Sequence, residues 1–150
     1  QQEVTEQAID QLLSTFTAEV KRLLVDCEIA PHLAKLRRAT ANAQWMIISG
    51  GDQAELREIF NQRDLTDLFD AGIFGSPDNK EQILARELAQ GSSTKPALFI
   101  GDSRYDYQAS TNAGLDFVFL SDWTDLEDWR GFCNAHQIKM LPNLGALITL

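Results

Sequence analysis

The chain has 150 residues, 44% apolar and 23% charged, which is the size and make-up of one soluble globular domain with a real core rather than of two domains. Its 13 Lys and Arg against 22 Asp and Glu leave a formal charge of -9. The basic residues neither gather into a stripe nor alternate with aromatics, which argues against a nucleic-acid partner. No apolar run approaches the ~20 residues of a membrane helix, and the opening QQEVTEQAID lacks the basic-then-apolar pattern of a secretion signal, so the expectation is a cytoplasmic protein with no membrane partner.

From Glu3 to about Leu24, the apolar residues Val4, Ala8, Leu12, Leu13, Phe16, Val20, Leu23 and Leu24 recur at a spacing near four, one stripe of an amphipathic helix. A second helix is expected after Pro31, a residue suited to a first turn, running through Leu33, Leu36 and Ala39. Cys27 and Cys133 are too few and too far apart for a disulfide framework or a zinc site and read as small buried apolar side chains. His32 and His136 have no Cys or His partner at ligand spacing and read as surface residues.

The texture then changes. Trp45-Met46-Ile47-Ile48 is a short apolar run stopping at Ser49-Gly50-Gly51, and the following DQAELREIF reads as a helix opened by an Asp52/Glu55 capping box. EQILARELA after Asp78 is another amphipathic helix, and GSSTK at 91–95 reads as a surface loop. The strand-to-helix unit recurs at Ala97–Ile100, which leads through Gly101-Asp102 into a helix stopped at Gly114. It recurs again at Phe117–Leu120, before a helix expected to open at Thr124 and Glu127. Trp123 and Trp129 flank this last segment and are expected to pack it on the sheet, and Asp122 is expected to start it. Alternation of short apolar strands with helices predicts an α/β fold: a doubly wound, Rossmann-like parallel sheet covered on both faces, with ligands bound beyond the carboxyl ends of its strands.

Chemistry-bearing residues collect at those ends. Asp102 and Asp106 in G-D-S-R-Y-D stand four apart at a strand-to-helix turn, and Mg²⁺ prefers one or two carboxylates completed by water and a substrate phosphate. The same pair also reads as a helix cap and a solvated first-turn residue. Ser49, with the backbone N–H groups of Gly50 and Gly51, suits an anionic oxygen, or else forms a plain turn with permissive glycines. Lys80 opens a helix, where the dipole disfavours a cation, and reads either as a phosphate- or carboxylate-neutralising charge or as an exposed lysine.

Taken together in chain order, Ser49 at a strand tip, Lys80 and then Gly101-Asp102-x-x-x-Asp106 resemble the haloacid dehalogenase superfamily, particularly its small-molecule phosphatases of the phosphoglycolate phosphatase type. NAGLDFVFL resembles the family's stretch after its metal motif, and the likeness spans roughly Ile29 to Leu120. The resemblance implies a Mg²⁺-dependent phosphohydrolase of a small phosphorylated metabolite. Ser49 and Gly50 would hold the phosphoryl group, Lys80 would steady nucleophile and phosphate, and Asp102 and Asp106 would bind Mg²⁺.

The family's attacking Asp-x-Asp motif has no counterpart here. The nearest text, Leu23–Glu28, ends in D-x-E with Asp26 too close before Ser49, and reads as the end of the first helix. The expectation is therefore a core lacking its first strand, with residues 28–150 as the C-terminal part of the core and residues 1–27 as a cap remnant or linker. An aspartyl-phosphate would form on an Asp outside the chain. Exposed apolar edges would favour self-association or association with the missing segment. Two other readings stay open: a catalytically incomplete module that binds a partner or anion without turnover, and a phosphoacceptor receiver domain, whose N-terminal carboxylate cluster is absent.

Overall fold

The computed structural model of the chain describes residues 5–91 and 96–149. Val4 and most of the 91–95 loop therefore lie outside the described residues.

Helix α1 (Glu6–Asp26) is opened by Thr5, whose side chain accepts from the Ala8 N–H, and Asp26 is its last residue rather than the end of a strand. Helix α2 (Leu33–Ala39) starts later than Pro31 led us to expect, because His32 at its N-cap adopts a left-handed φ of 66° that breaks any helix begun at the proline. Strand β1 (Met46–Asp52) runs past the apolar tetrad and carries Ser49, Gly50 and Gly51 within it. Asp52 then caps α3 (Gln53–Gln62) by accepting from the Glu55 N–H at 2.9 Å.

Strand β2 (Gly72–Ser76) was not anticipated from sequence; only Ile73 and Phe74 in it are apolar, too short a pattern to separate from loop. After it, a reciprocal capping box between Asn79 and Gln82 opens α4 (Lys80–Ala89). Strand β3 (Leu98–Gly101), helix α5 (Arg104–Asn112) and strand β4 (Asp116–Leu120) follow as expected, with Gly114 at φ 67° ending the helix. Helix α6 (Trp129–Ala135) opens at Asp128, not at Thr124, and a three-residue strand β5 (Lys139–Leu141), also unforeseen, precedes a 3-10 segment at Leu144–Thr149.

All strand pairs are parallel, as the alternation of elements requires, but they fall into two sheets among the described residues, β1-β2 and β3-β4-β5. Among the described residues β1 and β3 each pair on one edge only, and neither strand holds a fully buried residue. The two sheets are joined by α4, which packs on β1 and β2 and also on α5, and by the terminal 3-10 segment, which packs on α2 and β5.

The core is densest beside β4, where Phe119, Phe132, Cys133 and Ile138 are buried with Trp129, Tyr107 and Phe117 around them. Cys133 fits the expected role, whereas Cys27 is exposed beyond the end of α1. Helix α1 has no fully buried residue and leaves Ile9, Leu12, Leu13, Phe16 and Leu23 exposed. It is held to α3 by Lys21–Glu58 at 2.6 Å and by Arg63, which donates to the carbonyls of Leu24 and Cys27. His32 and His136 are exposed, and no described helix is long and apolar enough to cross a membrane.

Candidate active site

The residues singled out from sequence lie in the second half of β1, after β2 and after β3. At the tip of β3, the turn Gly101-Asp102-Ser103 feeds α5, and Ser103, not Asp102, caps the helix by accepting from the Asp106 N–H at 3.1 Å. The Asp102 carboxylate is thereby left free of the cap. Asp106 lies on the first turn of α5, yet it is only 5% exposed instead of solvated.

Its burial is matched by donors. One carboxylate oxygen of Asp106 accepts from the Ser103 hydroxyl at 2.8 Å and from the Asp102 N–H at 3.2 Å, while the other pairs with Lys80 Nζ. Lys80, the first residue of α4, is itself largely buried, so its charge offsets the helix dipole's objection by standing against a desolvated carboxylate. This ion pair spans the two sheets, because Lys80 follows β2 and Asp106 follows β3. Tyr105 adds a second tie, its hydroxyl donating to Glu81 on α4 while its ring lies 5.6 Å from Lys80 Nζ.

Gly101 has a steric role that sequence reasoning passed over. A Cβ there would stand 2.5 Å from the Asp106 Cβ and 2.6 Å from its Cγ, so the carboxylate folds back under the strand tip only because residue 101 has no side chain. Gly75 does the same for β1: a Cβ there would meet the Gly51 carbonyl oxygen at 2.2 Å, and its absence lets β2 run close against the Ser49–Asp52 tip.

Burial pushes the Asp102 carboxyl above its ordinary value, and the negative charge of Asp106 pushes it the same way, against the pull of Lys80. The two carboxylates thus differ: Asp106 is buried and engaged at both oxygens, while the Asp102 side chain makes no hydrogen bond to another residue among those described. No group of three or more His, Cys, Asp or Glu side chains placed to hold a metal ion occurs among the described residues.

Ser49 is not hydrogen-bonded into this cluster. Its Oγ accepts from the Gly51 N–H at 3.1 Å, and it makes no hydrogen bond to Lys80, Asp102 or Asp106. Gly50 beside it is exposed, with nothing within 4 Å of where a Cβ would lie. Asp122 neither starts a helix nor joins the carboxylate pair; it accepts from Asn143 Nδ2 at 3.0 Å. Thr124 turns out to serve the site: its hydroxyl donates to the Asp102 carbonyl at 2.5 Å and accepts from the Leu126 N–H at 3.1 Å, tying the loop after β4 to the tip of β3. No local signal distinguishes that role from a helix cap.

The family model for haloacid dehalogenase-like hydrolase matches residues 1–120. Among solved structures, the chain is similar to a haloacid dehalogenase-like family hydrolase from Streptococcus pneumoniae, with TM-score 0.75 and 15% identity over 99% of this chain and 70% of that one. A superfamily hydrolase from Ehrlichia chaffeensis gives TM-score 0.63 and 19% identity over 99% and 76%. The L-2-haloacid dehalogenase from Xanthobacter autotrophicus gives 0.58 and 19% over 80% and 59%. At these identities the structures establish the shared fold alone. No curated protein matches the chain in sequence.

Proposed function

The chain belongs to the haloacid dehalogenase-like hydrolase family, and from that premise we propose that it forms the metal- and phosphate-binding part of a phosphohydrolase acting on small phosphorylated metabolites. The observation that carries the proposal is the buried Lys80–Asp106 pair beside the free carboxylate of Asp102, at the carboxyl end of a parallel sheet. An ammonium and two carboxylates gathered there suit a doubly charged phosphoryl group bridged to a hard cation far better than a neutral substrate.

The donor set fits Mg²⁺: Asp102 and Asp106 would hold it, and it would supply charge neutralisation for the phosphoryl oxygens. Lys80, fixed against Asp106, presents a positive charge to the phosphate without reorganising. Ser49 Oγ and the Gly50 N–H at the tip of β1 would bind the remaining phosphoryl oxygens. The attacking group in this reading is an Asp on a strand outside these 150 residues. Its carboxylate forms a bond to phosphorus as the ester oxygen leaves, and water then releases inorganic phosphate from the aspartyl-phosphate. Among the described residues β1 and β3 each pair on one side only, which leaves each with an edge open to a further strand.

Assay of the full-length protein on p-nitrophenyl phosphate with Mg²⁺ tests the proposal: turnover is expected, and Asp102→Ala or Lys80→Ala is expected to abolish it. Turnover that survives either substitution refutes the assignment.

A further inference from the structure

Both peptide groups that flank the Asp102 Cα are held by other parts of the chain. The Asp102 N–H, in the peptide from Gly101, donates to Asp106 at 3.2 Å, and the Asp102 carbonyl, in the peptide to Ser103, accepts from the Thr124 hydroxyl at 2.5 Å. Peptide groups are planar, so two fixed planes determine the direction of the Cα–Cβ bond between them. The Asp102 carboxylate is therefore aimed by main-chain bonds and keeps only its own two torsions.

The Thr124 bond is firmly built for a contact across 22 residues. Its Oγ1 accepts from the Leu126 N–H at 3.1 Å, and because a carbonyl can only accept, the hydroxyl proton must lie toward Asp102. The turn itself would close on the Leu126 N–H alone, so the bond to Asp102 is a second task of the same hydroxyl. The loop is fastened independently: Ser121 and Asp122 donate their N–H groups to the carbonyls of Leu141 and Pro142, and Asn143 Nδ2 donates to the Asp122 carboxylate. Asp102 and Thr124 follow two strands that already pair with each other, β3 and β4, in register through Gly101 and Phe119. The contact thus belongs to the side of β3 that faces β4, not to the edge left open among the described residues.

We propose that Thr124 is a positioning residue for metal binding, holding the Asp102 carbonyl so that the carboxylate of the same residue is already aimed when Mg²⁺ binds. The inference rests on the Mg²⁺-dependent phosphohydrolase reading and deepens it. Loss of a bond that orients a ligand weakens metal binding by roughly ten- to a hundredfold, and a tie through the main chain, with the side-chain torsions left free, belongs at the low end. The test titrates Mg²⁺ calorimetrically into the full-length protein without substrate and measures beside it the Mg²⁺ concentration that gives half-maximal turnover of p-nitrophenyl phosphate. Thr124→Val, which keeps the shape and removes the donor, is expected to raise both values about tenfold, and Thr124→Ser, which keeps the hydroxyl, to bring both within about twofold of the parent. Asn143→Ala, which loosens the same loop at Asp122 but leaves the bond to Asp102 in place, is expected to change neither. If circular dichroism shows that Thr124→Val does not fold, Thr124→Cys takes its place, its weak S–H donor shifting both values in the same direction. A Thr124→Val protein that binds Mg²⁺ as the parent does overturns the proposal, and so does a serine variant as weak as the valine one. Equal weakening in Asn143→Ala overturns it too, by assigning the effect to the integrity of the loop. In each of these cases turnover by the parent leaves the phosphohydrolase reading standing. A parent protein that neither binds Mg²⁺ nor hydrolyses the ester refutes that reading, and the positioning role with it.

Discussion

Gly101→Ala is the sharpest test of how the site is built. The new Cβ would stand 2.5–2.7 Å from the Cβ, Cγ and Oδ2 of Asp106, where ordinary contact is 3.4–4 Å, so the carboxylate or the strand tip must move by about 1 Å. Asp106 cannot swing aside freely, since Lys80 holds one oxygen and Ser103 Oγ at 2.8 Å and the Asp102 N–H at 3.2 Å hold the other. A displacement of that size removes at least one charge-assisted hydrogen bond, worth about 1.5–3 kcal/mol, and adds the strain of overpacking, about 1–3 kcal/mol before relaxation. Allowing for partial relief of one by the other, about 2–4 kcal/mol is lost, equivalent to a fall in Tm of roughly 5–15 °C for a chain of this length. Thermal unfolding followed by circular dichroism, with Gly50→Ala as comparator because nothing lies within 4 Å of its added Cβ, measures this directly. A Gly101→Ala protein that melts with the parent would refute the claim that Gly101 is what lets Asp106 fold back under the strand.

Two further outcomes follow from the charges. Removing the Lys80 ammonium leaves Asp106 buried with only neutral donors, so Lys80→Met should destabilise the protein by about 2–4 kcal/mol, and adding Asp106→Asn should return a large part of that loss. A denaturant double-mutant cycle with no coupling would contradict the buried pair. Asp102 has a folded pKa raised above its unfolded value of 3.8, so the fold favours its protonated form; stability from this source is present below that value and is lost as pH rises through the folded pKa. Asp102→Asn should therefore stabilise the metal-free protein at neutral pH and make no difference in strong acid. Chemical denaturation at the two pH values checks the sign, and a variant less stable than the parent at neutral pH would reverse it.

Local pattern made much of the architecture legible. Wholly apolar tetrads ending in Ser49-Gly50-Gly51, Gly101-Asp102 and Ser121-Asp122 announced parallel strands, and Gly114 announced a helix stop, since these signals depend on neighbours along the chain. Strands β2 and β5 escaped notice because their five and three residues are too few to carry a period, and both are defined by a partner strand distant in sequence. The same limit hid the real helix start at Asp128, the exposure of Cys27 and the difference between the exposed Trp123 and Trp129, which stacks on Phe119.

For the site, residue types and order along the chain determined the candidates: Ser49, Lys80, Asp102 and Asp106 are visible as a set without any coordinates, and so is the lack of an Asp-x-Asp strand before them. Only the tertiary structure decided that Asp106 is buried and paired with Lys80 while the Asp102 side chain is not, and that Ser49 Oγ bonds locally to the Gly51 N–H. It alone decided that Gly101 makes room for Asp106 and that Thr124 ties the loop after β4 to the Asp102 carbonyl. The division has one physical cause. Helix periods, caps and apolar runs are set by interactions within a few residues, whereas burial, desolvation and a hydrogen bond across 22 residues, as between Thr124 and Asp102, exist only once distant segments have packed.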